Sequence, residues 1–176
     1  QKVIFSFKNQ KYNFETNLIG TIQIKNLLLA ILAAHQILPM KKIIESLNKI
    51  IPINGRLEKI GNLKNRSIVI LDYAHTPEAL KACLQSIKNQ FKLRKISLVF
   101  GCGGERDKPK RQIMGNIANE FSDKIYLTDD NPRGEDPKII RLQIKKKIDK
   151  SKVIEIASRS KAIEKAIQDL DSESVL

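Results

Sequence analysis

The sequence has no tryptophan, only two cysteines, and aromatic residues at just 5% of its length. Each scarcity removes a class of function. Cys83 and Cys102 have neither metal-ligand nor redox spacing, which argues against a zinc module or a dithiol centre. Both read as reduced thiols of a cytosolic protein, with Cys83 on the buried face of a helix. Few aromatics leave little surface for base stacking. The formal net charge of +13 therefore does not single out a nucleic-acid surface, although clustered Lys and Arg would neutralise phosphates. The lysines are spread along the whole chain beside an equally heavy use of Ile and Asn, which is a compositional bias and not a patch. Long apolar runs are missing too. The longest, Leu27 to Ala34, is far short of the roughly 20 residues that cross a bilayer, and no charged-then-apolar leader opens the chain. The expectation is a soluble, cytoplasmic protein with no membrane insertion. The chain starts without Met and stops at Val175-Leu176, an apolar pair that reads as a strand just starting, so both ends read as cuts.

What is present divides the 176 residues into two patterns. Residues 2 to 7 and 11 to 15 suggest two short strands, followed by apolar helical stretches at 22 to 36 and 40 to 50. That segment is too small to be a domain. From Arg56 onward strands and helices alternate, with apolar runs at 67 to 71, 95 to 100, 124 to 127 and 152 to 156. Thr76-Pro77 supplies a cap and a first-turn proline for a helix carrying Leu80, Cys83, Leu84 and Ile87. Asp107 with Pro109 precedes Ile113, Met114, Ile117 and Phe121. Asp136-Pro137 opens a third helix with Ile140, Ile144 and Ile148, and Ser160 a fourth with Ile163, Ala166, Ile167 and Leu170. Four such units predict an α/β, Rossmann-like fold, a mostly parallel sheet with helices on both faces.

Ligands of such folds lie outside the carboxyl ends of the strands, and the loops there hold the unusual residues. Gly101, Gly103 and Gly104 would let backbone approach an anion at a helix start, or simply make a tight turn. Their spacing matches neither a P-loop nor a dinucleotide fingerprint. Among the basic residues that follow, most read as a solvated helix start. Arg106 is the exception, placed between the glycines and the helix cap, where a guanidinium could grip a carboxylate or phosphate. Asp130-Asn131-Pro132-Arg133 combines an acceptor, an amide, a rigid bend and a forked donor, a set suited to an amino acid's ammonium and carboxylate. It also reads as a proline turn with surface charges. His75 could be a general base or a hydrogen-bonded structural group, and nothing near it forms a nucleophile-base pair.

Taken in order, Gly55-Arg56-Leu57-Glu58, DYAHTPEAL from Asp72, VFGCGGERDKPKR from Val99, MGNIA from Met114 and TDDNPRGEDP from Thr128 resemble the Mur ligase family. The likeness is closest to its diaminopimelate-adding members and runs from near Gly20 to the end. It implies three domains in the whole enzyme, for the UDP-sugar, for ATP and for the incoming amino acid. Residues 1–54 are then a fragment of the central ATPase domain, and residues 55–176 the Rossmann-like carboxyl-terminal domain without its last strands. The adenine motif of the family is similar to Gly20 to Asn26, which assigns Asn26 and, in place of the usual Asn, Gln23. Arg56 and Asp72 match the ATP-contacting pair, with His75 in the same loop. Arg106, Asp130, Asn131, Pro132 and Arg133 match the positions that bind meso-diaminopimelate, Arg133 pairing with the distal carboxylate that lysine lacks. The implied reaction is ATP-dependent amide formation through an acyl phosphate, adding meso-diaminopimelate to UDP-N-acetylmuramoyl-L-alanyl-D-glutamate in peptidoglycan synthesis. ATP is a substrate and Mg2+ a cofactor, the latter bound mainly by the central domain. No catalytic residue and no metal ligand is assigned. The P-loop, the central magnesium ligands, a modified lysine and a terminal Gly-Lys-Gly-His-Glu motif are not found, so the chain by itself, a monomer, should not catalyse. A lysine-adding or cyanophycin-type relative is the alternative among enzymes, and a basic nucleic-acid-binding module the alternative outside them.

Overall fold

The computed structural model describes residues 1–63 and 65–176. Strands β1 (Lys2–Phe7) and β2 (Gln10–Glu15) form an antiparallel hairpin. Its two turn residues, Lys8 and Asn9, both have positive φ, the conformation that matches the twist of a two-residue hairpin. The hairpin shares a core of Phe14, Leu18, Leu27, Ile31, Met40, Ile43 and Leu47 with helices α1 (Thr21–Ala34) and α2 (Met40–Ser46). The helix expected over 40 to 50 is α-helical only to Ser46 and ends in a 3-10 turn at Leu47–Lys49. Pro52 contributes to that limit, since it disfavours the helical conformation at Ile51.

The second pattern opens with a strand that periodicity did not indicate. β3 (Glu58–Asn62) pairs antiparallel with β4 (Ile68–Leu71), with a register shift between Lys59 and Gly61. Further on, β5 (Ser97–Phe100), β6 (Lys124–Leu127) and β7 (Val153–Glu155) form a parallel sheet in the order β5-β6-β7. Val175 lies between β4 and β5, in parallel bridges to Ile68 on one side and Ile96 on the other. Val175 N–H donates to the Lys95 carbonyl at 2.9 Å and Ser97 N–H to the Val175 carbonyl at 2.8 Å, while Ile70 N–H donates to the Leu176 carbonyl at 2.8 Å. The apolar end of the sequence thus pairs as a strand and joins the β3-β4 hairpin to the parallel sheet.

Helices α3 (Pro77–Gln90), α4 (Pro109–Phe121), α5 (Pro137–Lys145) and α6 (Arg159–Gln168) cover both faces. The alternation along β6 shows how. Ile125 and Leu127 join Leu84, Ile87, Met114, Ile117, Ile140 and Ile144 on one face, and Tyr126 packs with Ala162 and Ala166 of α6 on the other. The expected α/β, Rossmann-like fold with helices on both faces is what the chain adopts.

Four local expectations need correction. The amino-terminal cap of α6 is Ser158, whose hydroxyl accepts from Lys161 N–H, not Ser160. Its buried stripe is Ala162 and Ala166, with Ile163 and Ile167 partly exposed, because small side chains let the helix sit close to Tyr126. At α4 the cap position is Lys108, with no side-chain cap bond, so Asp107 does not serve. Ile113 is also exposed, while Arg111 points inward.

Candidate amino-acid and nucleotide site

The loop after β4 is organised by Asp72. One carboxylate oxygen accepts Leu57 N–H at 2.8 Å and the other accepts Ala74 N–H at 2.9 Å, so Asp72 ties the Gly55–Glu58 turn to its own loop. Tyr73 N–H adds a bond to the Gly55 carbonyl at 2.9 Å. Behind them lies Cys83, whose thiol is pushed up to about 12, chiefly by burial and then by the Asp72 charge. The Arg56 guanidinium lies over the Tyr73 ring at 5.8 Å, and that ring meets His75 edge-on at 5.1 Å. Gln23 reaches across from α1, donating to the Arg56 carbonyl at 3.1 Å. Gln23, Arg56, Asp72 and His75 therefore lie along one connected surface. Asn26 is exposed one helical turn beyond Gln23, on the same side of α1. Among the described residues the His75 ring makes one hydrogen bond, between Nδ1 and the Tyr73 carbonyl, at 3.1 Å, and no proton-relay partner adjoins it.

The loops after β5 and β6 are stitched together. Gly104 N–H donates to the Asn131 carbonyl at 2.8 Å, and an Arg133 guanidinium nitrogen donates back to the Gly104 carbonyl at 2.5 Å. A Cβ on Gly104 would stand 1.8 Å from the Pro132 carbonyl oxygen, so only glycine permits this approach. Asp130 caps Asn131 N–H at 2.8 Å, and the Asn131 side chain accepts Arg133 N–H at 3.3 Å. Arg106 is exposed on the opposing loop. Asp130, Asn131 and Arg133 thus share one loop, with Pro132 in its bend, and the loop bearing Arg106 is bonded to it. The His75 loop adjoins this edge through Lys110, which donates to the His75 carbonyl at 3.3 Å. Between the two halves a cavity of about 270 Å³ runs down between β4 and β5, with Asp72, His75, Gly101, Gly103, Lys110 and Asp130 toward the loops.

Comparison with known proteins decides the family. Residues 55–176 match the family described as Mur ligase, glutamate ligase domain. The chain belongs to the Mur ligase family. All of it aligns, at 46% identity, with 36% of the UDP-N-acetylmuramoyl-L-alanyl-D-glutamate–2,6-diaminopimelate ligase of Rickettsia conorii. A solved structure of an enzyme of that name is 32% identical and superposes on 96% of this chain, and 34% of its own, with a TM-score of 0.67. A folylpolyglutamate synthase from Mycobacterium tuberculosis superposes on 93% of this chain and 39% of its own with a TM-score of 0.73 at 20% identity, a likeness of fold alone. This Mur ligase chain spans about a third of the length of these relatives.

Within that frame the structure adds residues that the sequence did not single out. Arg111, expected on a solvated helix start, is wholly buried and donates through both terminal nitrogens to the Glu135 carboxylate, at 2.8 and 2.9 Å. Only a separation of 24 residues and two opposite charges preceded that pair in the sequence, a signal too common to use. Arg141 similarly bridges Asp129 and Glu155 beneath the Asp130 loop. For Mg2+ the donor set does not fit. Among the described residues no three metal-ligating side chains converge, and the Asp72 oxygens are already bonded to backbone amides.

The hydrogen bonds from Arg111, followed by the one from Glu105 N–H, hold the Glu135 carboxyl down to about 2. A carboxyl whose folded value lies below its unfolded one, about 4.3, stabilises the fold above that value and loses the effect as pH falls toward the folded one. The expected result is a melting temperature that falls between about pH 4.5 and pH 2. Glu135→Gln should flatten that part of the fall in thermal melts taken across the range.

Proposed function

We propose that this chain supplies the amino-acid site and part of the ATP site of a ligase that adds meso-diaminopimelate to UDP-N-acetylmuramoyl-L-alanyl-D-glutamate at the expense of ATP. In this reading residues 1–54 are the tail of the central ATPase domain and residues 55–176 the amino-acid-receiving domain of a cytoplasmic enzyme of peptidoglycan synthesis. The observation that carries it is the stitched pair of loops, which holds the loop bearing Arg106 against the loop bearing Asp130 and Arg133. Meso-diaminopimelate presents two carboxylates and two ammonium groups. Two forked cations and an acceptor match that pattern, whereas lysine would leave one guanidinium without a partner. The sequence identity with enzymes named for this reaction supports the same substrate.

Transfer of the γ-phosphate of ATP to the peptide's terminal carboxylate would give an acyl phosphate and ADP. Attack by the amine of the bound amino acid would then form the amide as the C–O bond to phosphate breaks, releasing phosphate and a proton. This chain's own contribution is to hold that amine in place and to close the Arg56–Asp72 surface on the nucleotide, so that proximity and orientation supply the rate advantage. In this reading no side chain of residues 1–176 is assigned the role of acid or base in the step. Mg2+ would come with ligands from outside this chain.

Calorimetry with meso-diaminopimelate, lysine and an Arg133→Ala variant tests the reading. A millimolar affinity, about −4 kcal/mol, is expected for meso-diaminopimelate. The variant should lose about tenfold of it, about 1.4 kcal/mol, with no change toward lysine. Equal heats from the two amino acids would assign the site to a lysine-adding or broader relative and remove Arg133 from its role.

A further inference from the structure

We infer that Arg111 and Glu135 are positioning residues, whose ion pair sets the register between the two loops and so the spacing of Arg106 and Arg133. This rests on the reading of those loops as the amino-acid site.

The bonds form a closed ring. The Arg111 guanidinium, within α4 and wholly buried, bonds both Glu135 oxygens, the Gln143 amide oxygen at 2.7 Å and the Gly103 carbonyl at 3.3 Å. Glu135 in turn accepts Glu105 N–H at 2.6 Å. The Glu105 carboxylate returns across the gap to Gly134 N–H at 3.1 Å. Arg106 directly follows Glu105, and Arg133 directly precedes Gly134, so each proposed ligand-binding arginine is one peptide bond from a ring member. Glu105 and Arg133 also hold positive φ, at 51° and 50°, a conformation that L residues keep only when their surroundings over-determine it.

The alternative is a buried ion pair that serves stability alone. Burying a guanidinium against a carboxylate is a weak source of stability, since the lost hydration offsets the attraction. Apart from Gln143, every bond of the ring ends on one of the two loops and none on the sheet. The arrangement spends its hydrogen bonds on loop geometry, as a bidentate fork that accepts only one orientation does well.

The test uses the whole chain as wild type, Glu135→Gln and Glu105→Ala. Glu135→Gln keeps the shape and one acceptor. Glu105→Ala removes the return bond from an exposed position and leaves the buried arginine paired, so it should fold whatever Glu135→Gln does. Amide hydrogen exchange without ligand should speed up about tenfold or more at Gly104, Glu105 and Gly134, with β6 and α4 unchanged. The preference for meso-diaminopimelate over lysine should fall with it, while the folded baseline in circular dichroism persists. Wild-type exchange at those amides in Glu105→Ala and Glu135→Gln overturns the inference. A wild type that does not distinguish the two amino acids overturns the functional reading instead, and the exchange rates still decide whether the pair sets the loop register.

Discussion

Val175→Asp is expected to remove most of the stability of the parallel-sheet region. Val175 has no exposed surface and belongs to the core that includes Leu84, Ile96 and Ile125. Its backbone is bonded toward β5 and its neighbours toward β4. A carboxylate at this position would be set among the apolar side chains of that core. An uncompensated buried charge costs about 3–5 kcal/mol, and loss of the valine's burial adds about 1.5–3 kcal/mol. Domains of this kind hold only about 5–15 kcal/mol in total. Urea denaturation followed by circular dichroism should therefore show a variant unfolded or nearly so at 25 °C. Leu93→Asp, at a fully exposed residue, should stay within about 0.5 kcal/mol of wild type. The effect reaches the site as well. β4 leads into the loop of Asp72 and His75, and β5 into the glycine loop, so the bridge at Val175 joins the two halves. A variant with wild-type stability would mean that the terminal residues do not hold β4 to β5.

How much of this could be read beforehand depends on whether a residue's role is local or spatial. The four strand-helix units were legible because each buries a face with its own period, and β6 shows the alternation in three successive residues, Ile125, Tyr126 and Leu127. Thr76 and Asp136 were legible caps because cap and first-turn proline are adjacent in sequence. β3 was not. Its residues Glu58 to Asn62 lack an apolar alternation, and Ile60 is exposed, so the strand exists through its pairing with β4. The inner face of α6 was misread because Ile163 and Ile167 carry the stronger apolar signal, while the sheet selects the smaller Ala162 and Ala166. Within the site, Arg106 and the Asp130–Arg133 string were visible as unusual chemistry, and the family resemblance proposed what they bind. The stitching between them was invisible. Arg111 and Glu135 are two charges among many in a chain with 32 basic residues, and only the folded arrangement makes them partners.

The glycines separate two kinds of requirement, and their replacement should give opposite results. In Gly104→Ala the new methyl would stand 1.8 Å from the Pro132 carbonyl oxygen and 2.6 Å from its carbon. The obstacle is backbone, so no rotamer change relieves it. One loop must retreat, giving up the bond from Gly104 N–H to Asn131 and the Arg133 bond to the Gly104 carbonyl. Overpacking of about 1–3 kcal/mol and two hydrogen bonds of about 1 kcal/mol each add to roughly 3–5 kcal/mol. At about 2–4 °C per kcal/mol for a chain of this size, the melting temperature should drop by roughly 6–20 °C. Binding of meso-diaminopimelate should be lost with it, because Arg133 moves with the retreating loop. Gly55 is the opposite case. Nothing lies within 4 Å of a Cβ there, but its φ is +68°, and an L residue in that conformation costs about 1–2 kcal/mol. Gly55→Ala should therefore melt only a few degrees lower and keep its amino-acid affinity. If Gly104→Ala instead melts and binds like wild type, the two loops are not in contact, and the pocket built on their junction has to be given up.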